Sequence, residues 1–164
     1  MSQKSFDEWS CTVGRSLTVV GERWMLLIIR EALLGTTRFV EFQTSLGIAP
    51  DMLSSRLATL VDYAVMIKRA YQEPGQRARP EYHLTPAGRE LRVVIAALQQ
   101  WGDRHLPRPQ GPTMTHRAQC TDRPVHVAFI DDLGYEVAAD DVATISTCPA
   151  ELCPRQDSNL RHRL

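Results

Sequence analysis

The sequence predicts a mainly α-helical domain carrying a small β-hairpin, followed by a short β-leaning appendage. Three observations carry this. Apolar residues recur at helical spacing in blocks punctuated by Gly21, Gly35 and Gly47. Two strand-like runs, 65–72 and 80–84, flank a Pro74-Gly75 turn. The stretch from Pro107 to Pro112 is rich in proline and ends on Gly111-Pro112, the composition of a linker. The expected organisation is therefore a domain over 9–106, a linker over 107–112, an appendage over 113–142 and a disordered tail over 143–164.

The elements follow in order. A first helix is expected from Thr12 to Val20, stopping at Gly21. A second begins near Glu22 and carries Trp24, Leu27, Ile28 and Glu31 at helical spacing, with Gly35 ending it. A third follows Thr36-Thr37, residues of N-cap type, with Phe39, Phe42 and Leu46 on one side. A fourth starts at Pro50, where the missing N–H has no helical partner to lose. Its Leu53, Leu57, Leu60 and Val61 form an apolar stripe, and Asp51, Ser55, Ala58, Thr59 and Asp62 point away from it. Ser54 and Arg56 sit on the flanks. The hairpin comes next, with Arg77 and Arg79 at its tip. A last helix is expected after Thr85-Pro86, running to about Leu106. Leu91, Val94, Ile95, Leu98 and Trp101 are its candidate dimerisation residues, because its apolar surface is too wide for one small domain to cover.

Composition sets limits. With 19 Lys/Arg against 19 Asp/Glu the net charge is zero, and 43% of residues are hydrophobic, enough for a core. No apolar run is long enough to span a bilayer. The first residues lack the apolar stretch of a secretory signal, so a cytoplasmic protein is expected. Charge distribution is more telling than its sum. Between positions 54 and 92, Arg56, Lys68, Arg69, Arg77, Arg79, Arg89 and Arg92 outweigh Asp62, Glu73, Glu81 and Glu90.

Short helices followed by a hairpin with a basic tip make a winged helix-turn-helix. The major groove admits one helix, whose outer face must carry small or hydrogen-bonding groups. Ser54, Ser55 and Thr59 suit that role. Arg38, Arg56, Arg77 and Arg79 suit the neighbouring phosphates. Each of these alone is an ordinary surface residue, and Arg56 could equally bridge to a carboxylate; only their placement in one topology joins them. Double-stranded DNA is the expected partner.

The run Gly21 to Gly35, then Arg38 to Phe42, Leu53 to Leu57, Glu81 to Gly88 and Trp101-Gly102 resembles the HxlR-type regulators, which are related to MarR-like regulators. The resemblance covers about 9–106. It implies a homodimer acting in transcriptional control on operator DNA, with the fourth helix reading bases and the hairpin as wing. Two positions depart from the pattern. Ala49 stands where a Ser-like cap is usual, and Ala64 where glycine is usual, so a left-handed backbone there would carry strain.

Cys11 opens the first helix, where backbone N–H groups and Arg15 favour a thiolate. In some similar regulators a cysteine near this position senses oxidants through intersubunit disulfides; the alternative is a cysteine that simply packs. Cys120, Cys148 and Cys153 form no tight metal motif, and His116, Cys120 and His126 lack a close cysteine pair. No metal or other cofactor is expected. In the appendage, Val125, Val127 and Phe129 alternate as in a strand, Asp131 to Gly134 reads as a turn, and Tyr135 to Val137 as the return. The stretch Cys153 to Arg161 resembles the read-through ends of conceptual translations. No catalytic triad, P-loop or dinucleotide fingerprint is present, so an enzyme is not expected. The competing reading is a winged-helix protein-interaction module without DNA binding.

Overall fold

The structure is a computed structural model and describes residues 11–72, 74–75 and 77–145. Helix α1 (Thr12–Val20) leads into α2 (Arg23–Leu33), α3 (Phe39–Leu46) and α4 (Pro50–Asp62). Strands β1 (Met66–Tyr71) and β2 (Arg79–Leu84) pair antiparallel in the register Met66 with Leu84 through Tyr71 with Arg79. Then come α5 (Pro86–Glu90), α6 (Arg92–His105) and a two-residue pair, β3 (Phe129–Ile130) with β4 (Glu136–Val137). The mainly α fold with a β-hairpin wing and a small β appendage is the one expected.

The core lies where α2, α3 and α4 meet under the hairpin. Ile28, Ile29, Phe42, Leu53, Leu57, Leu60 and Met66 have no measurable exposure. Large aliphatic side chains so placed each contribute roughly 1.5–3 kcal/mol relative to exposure. The fourth-helix stripe thus faces inward as its spacing demands.

Four details differ from the sequence reading. The N-cap of α3 is Arg38, not Thr36 or Thr37: its N–H donates to the Glu41 carboxylate at 3.1 Å. That displacement has a cause. Thr37 accepts the Tyr82 N–H at 2.8 Å, and Arg38 bridges to Glu81, so the segment before α3 lies along β2 as a one-residue third strand. Second, the last helix is broken at Leu91 into α5 and α6. The Thr85 hydroxyl donates to the Ala64 carbonyl at 2.7 Å and accepts the Gly88 N–H at 3.0 Å, pinning α5 against the end of α4. Gly88 lies so close to the Val65 carbonyl that any Cβ there would collide with it. Third, β1 starts at Met66, one residue later than expected; Val65, just before it, accepts the Thr85 N–H at 3.1 Å in line with the strand register.

Fourth, Val125 and Val127 lie outside the strands, and only Phe129 of that run is in one. Both backbone groups of Val127 are taken by α6: the Gln100 amide donates to its carbonyl at 3.0 Å and accepts its N–H at 2.9 Å. Beside it, Gln99 donates to the Met114 carbonyl at 2.6 Å and meets His116 at 3.2 Å. The segment 107–112 contains a turn closed by Gly111 N–H to Arg108 at 3.0 Å, and the chain beyond it is fastened to α6. The tail expected over 143–164 falls, from 146 on, outside the described residues.

Candidate nucleic-acid interface

Helix α4 presents Asp51, Ser54, Ser55, Ala58 and Asp62 to solvent, with Thr59 half-buried at the edge of that face. The Thr59 hydroxyl donates to the Ser55 carbonyl one turn back at 3.1 Å, leaving its lone pairs outward. The face is small and polar because the opposite stripe claims the leucines. Both helix ends match the two departures noted in the sequence. Ala49 has the extended backbone of a cap, φ −61° and ψ 139°, but no side-chain cap bond. Ala64 adopts φ +54°, the left-handed region.

The hairpin projects from the body. In β1 the four residues Ile67 to Ala70 are all exposed, whichever face they occupy. Such a strand is wetted on both sides. Arg77 and Arg79 are exposed at its far end, and Gly75 makes the turn with φ +77°. Lys68 and Arg69 add two exposed cations that were not among the expected contacts. Period-two alternation would have sent one of them inward, and only a strand that stands off the domain leaves both free of burial.

Two of the expected phosphate ligands are engaged within the protein. Arg38 sits 3.5 Å from the Glu81 carboxylate and stacks over the Tyr71 ring at 4.5 Å, tying the start of α3 to both strands. Arg56 turns from α4 toward the start of α2 and pairs with Glu22 at 2.5 Å. Glu22, the N-cap of α2, was not anticipated as a partner; it lies 34 positions away in sequence, beyond any local spacing rule.

The candidate dimerisation residues divide between two surfaces. Leu91 and Ile95 pack against the core of their own chain. Val94, Leu98 and Trp101 are 44%, 51% and 57% exposed, and Val93 is exposed with them. Val13 and Leu17 form a second exposed apolar strip, on α1.

Cys11 is the N-cap residue of α1 and is exposed. The nearby Gly14 and Val13 N–H groups draw its thiol below the usual range, desolvation opposes them, and Arg15 adds a smaller attraction. Among the described residues no cluster of three or more potential metal-ligating side chains occurs, and no helix is long and apolar enough to cross a membrane.

The family model for the HxlR-like helix-turn-helix matches residues 19–110. The chain belongs to the HxlR-like family. The matched residues, which include helices α2 to α6 and the hairpin, are that family's helix-turn-helix, the DNA-binding domain of transcriptional regulators. The uncharacterized HTH-type transcriptional regulator Rv3095 of Mycobacterium tuberculosis is 48% identical over 106 residues, 65% of this chain and 66% of that protein. This chain therefore spans just under two thirds of that relative's length. Among solved structures, PA1607, described as a transcription factor, superposes with a TM-score of 0.75 at 34% identity, covering 87% of this chain and 99% of its own. The match to PA1607 extends beyond the helical domain. The reduced form of the redox regulator HypR matches with a TM-score of 0.52 at 26% identity, covering 58% of this HxlR-like chain and 96% of its own.

Proposed function

We propose that the chain is a sequence-specific transcriptional regulator that binds an inverted-repeat operator as a homodimer. One observation carries the reading: α4 buries Leu53, Leu57 and Leu60 completely while Ser54, Ser55 and Ala58 stay exposed, and it packs beside a hairpin bearing four free-standing cations. In this reading Ser54, Ser55 and Thr59 meet base edges, and Lys68, Arg69, Arg77 and Arg79 meet phosphates. Arg38 holds α3 and the wing together at the edge of that surface. The dimer forms through Val93, Val94, Leu98 and Trp101 of α6, with Leu91 and Ile95 supporting them from inside. Two reading helices then lie about one DNA turn, ~34 Å, or a multiple of it apart.

The signal is proposed to be oxidation at Cys11. Its thiol is exposed and thiolate-prone, and a redox regulator stands among the structural relatives. Selection of duplexes from a random pool, followed by gel shifts with and without diamide, tests the whole reading. A recovered inverted repeat whose binding changes with oxidant supports it. A protein that binds all duplexes alike removes the sequence-specific reading, and one that binds none leaves the protein-interaction module as the better account. An operator response that survives Cys11→Ser moves the sensor elsewhere.

A further inference from the structure

Arg56 has the residue type and the helix of a phosphate contact, but not its environment. Its side chain is only 26% exposed, its Nε is buried without a hydrogen-bond partner, and its terminal nitrogen lies 2.5 Å from the carboxylate of Glu22, a side chain that is itself 59% exposed. A charge-assisted pair is directional, so it holds the guanidinium to one side of the helix. Glu22 is itself well placed, since the N-terminus of α2 favours a negative charge. Swinging Arg56 out to DNA would break this pair and leave a carboxylate facing the phosphates.

We propose that Arg56 does not touch DNA but is a positioning residue, whose ion pair with Glu22 fixes the roll of the reading helix on α2. The proposal rests on the DNA-binding reading above. Helix α4 needs such a tie. Its first turn has no side-chain cap, and its exit, tied by the Thr85 hydroxyl to the Ala64 carbonyl, passes through an alanine at φ +54°, so the N-terminal end is the less firmly set. The leucine stripe fixes its depth, yet a stripe of similar aliphatic side chains permits small rotations about the helix axis. At about 100° per residue, Arg56 lies about 60° round from Leu53, and Thr59 about 60° further. An ionic tie at the boundary between core and reading face therefore sets where Thr59 and Ser55 point. Base recognition depends on side-chain direction in a way that phosphate attraction does not.

The test uses full-length protein and two duplexes: the inverted repeat recovered by selection on the parent, and a scrambled duplex of the same composition. Glu22→Gln and Arg56→Met are each expected to lose about tenfold of the preference for the selected duplex. Their log–log salt slopes should match the parent's. The exchanged pair, Glu22→Arg with Arg56→Glu, should recover most of the lost preference. The proposal is overturned if the Arg56→Met slope drops by about 0.9, the signature of one phosphate no longer neutralised. It is equally overturned if Glu22→Gln binds both duplexes more tightly, which would make the carboxylate a competitor, or if the exchanged pair behaves no better than the single variants. Should Arg56→Met fail to fold by far-ultraviolet circular dichroism, Glu22→Gln and the exchange decide. A parent without preference between duplexes defeats the operator reading first, and this proposal with it.

Discussion

Ala64 carries φ +54° with a Cβ attached, a conformation that glycine adopts without penalty. Ala64→Gly should therefore raise stability by about 1 kcal/mol. Ala49→Ser should add about another 1 kcal/mol, because the backbone already has cap geometry and lacks only an acceptor. The two sites bracket opposite ends of α4 and should be additive. Urea unfolding of the single and double variants checks this; an unmoved midpoint at either site would mean that the end concerned is not strained. Cys11 makes a prediction of another kind. In a variant with Cys120, Cys148 and Cys153 changed to Ser, iodoacetamide labelling of folded Cys11 should rise with pH around a lower midpoint than in the urea-denatured chain. The Gly14 and Val13 N–H groups stabilise the thiolate only in the folded helix. Coincident profiles would show that the cap contacts do not act on the thiol.

Wing and reading helix differ in the measurements they should disturb. Arg77→Ala with Arg79→Ala should weaken binding to every duplex and lower the salt slope by about 0.9 for each phosphate left without its cation. Ser55→Ala or Thr59→Val should instead alter preference among duplexes and leave the slope in place. If the wing variants keep the parent slope, the hairpin does not meet phosphate. Most elements were readable in the chain because their stops are local: Gly21, Gly35 and Gly47 end helices, Pro50 opens one, and Pro74-Gly75 turns the hairpin. What escaped depends on contacts between distant residues. No glycine or proline at Leu91 or beside it announces the break there, and the bond of Thr85 to Ala64, 21 positions away, is equally invisible to local spacing. Arg38 became a cap because β2 draws the preceding residue alongside it. The same holds within the interface: spacing placed Ser54, Ser55 and Thr59 on one face, but could not see that Glu22 waits for Arg56.

Taken whole, the chain leaves much of α6 unburied, and none of its residues is fully enclosed. Leu98→Asp should therefore shift the protein toward monomer in sedimentation velocity and weaken operator binding together, since each half-site holds on only through its twin. An Asp variant that stays dimeric with full affinity would clear this helix of the role. Ile95→Asp should behave differently, lowering thermal stability even in dilute monomer, because that side chain packs on its own core. The appendage adds one more consequence. Gln100 holds Val127 by its main-chain carbonyl and N–H, and Gln99 holds the Met114 carbonyl in the same way. Apart from the contact of Gln99 with the His116 ring, this mount grips the main chain and is indifferent to the side chains it carries. Mutation can thus rewrite the outward residues of this segment, Phe129, Ile130, Leu133 and Tyr135 among them, without loosening it from the domain. Two glutamines give the chain a socket into which new surfaces can be fitted while the helix-turn-helix stays as it is.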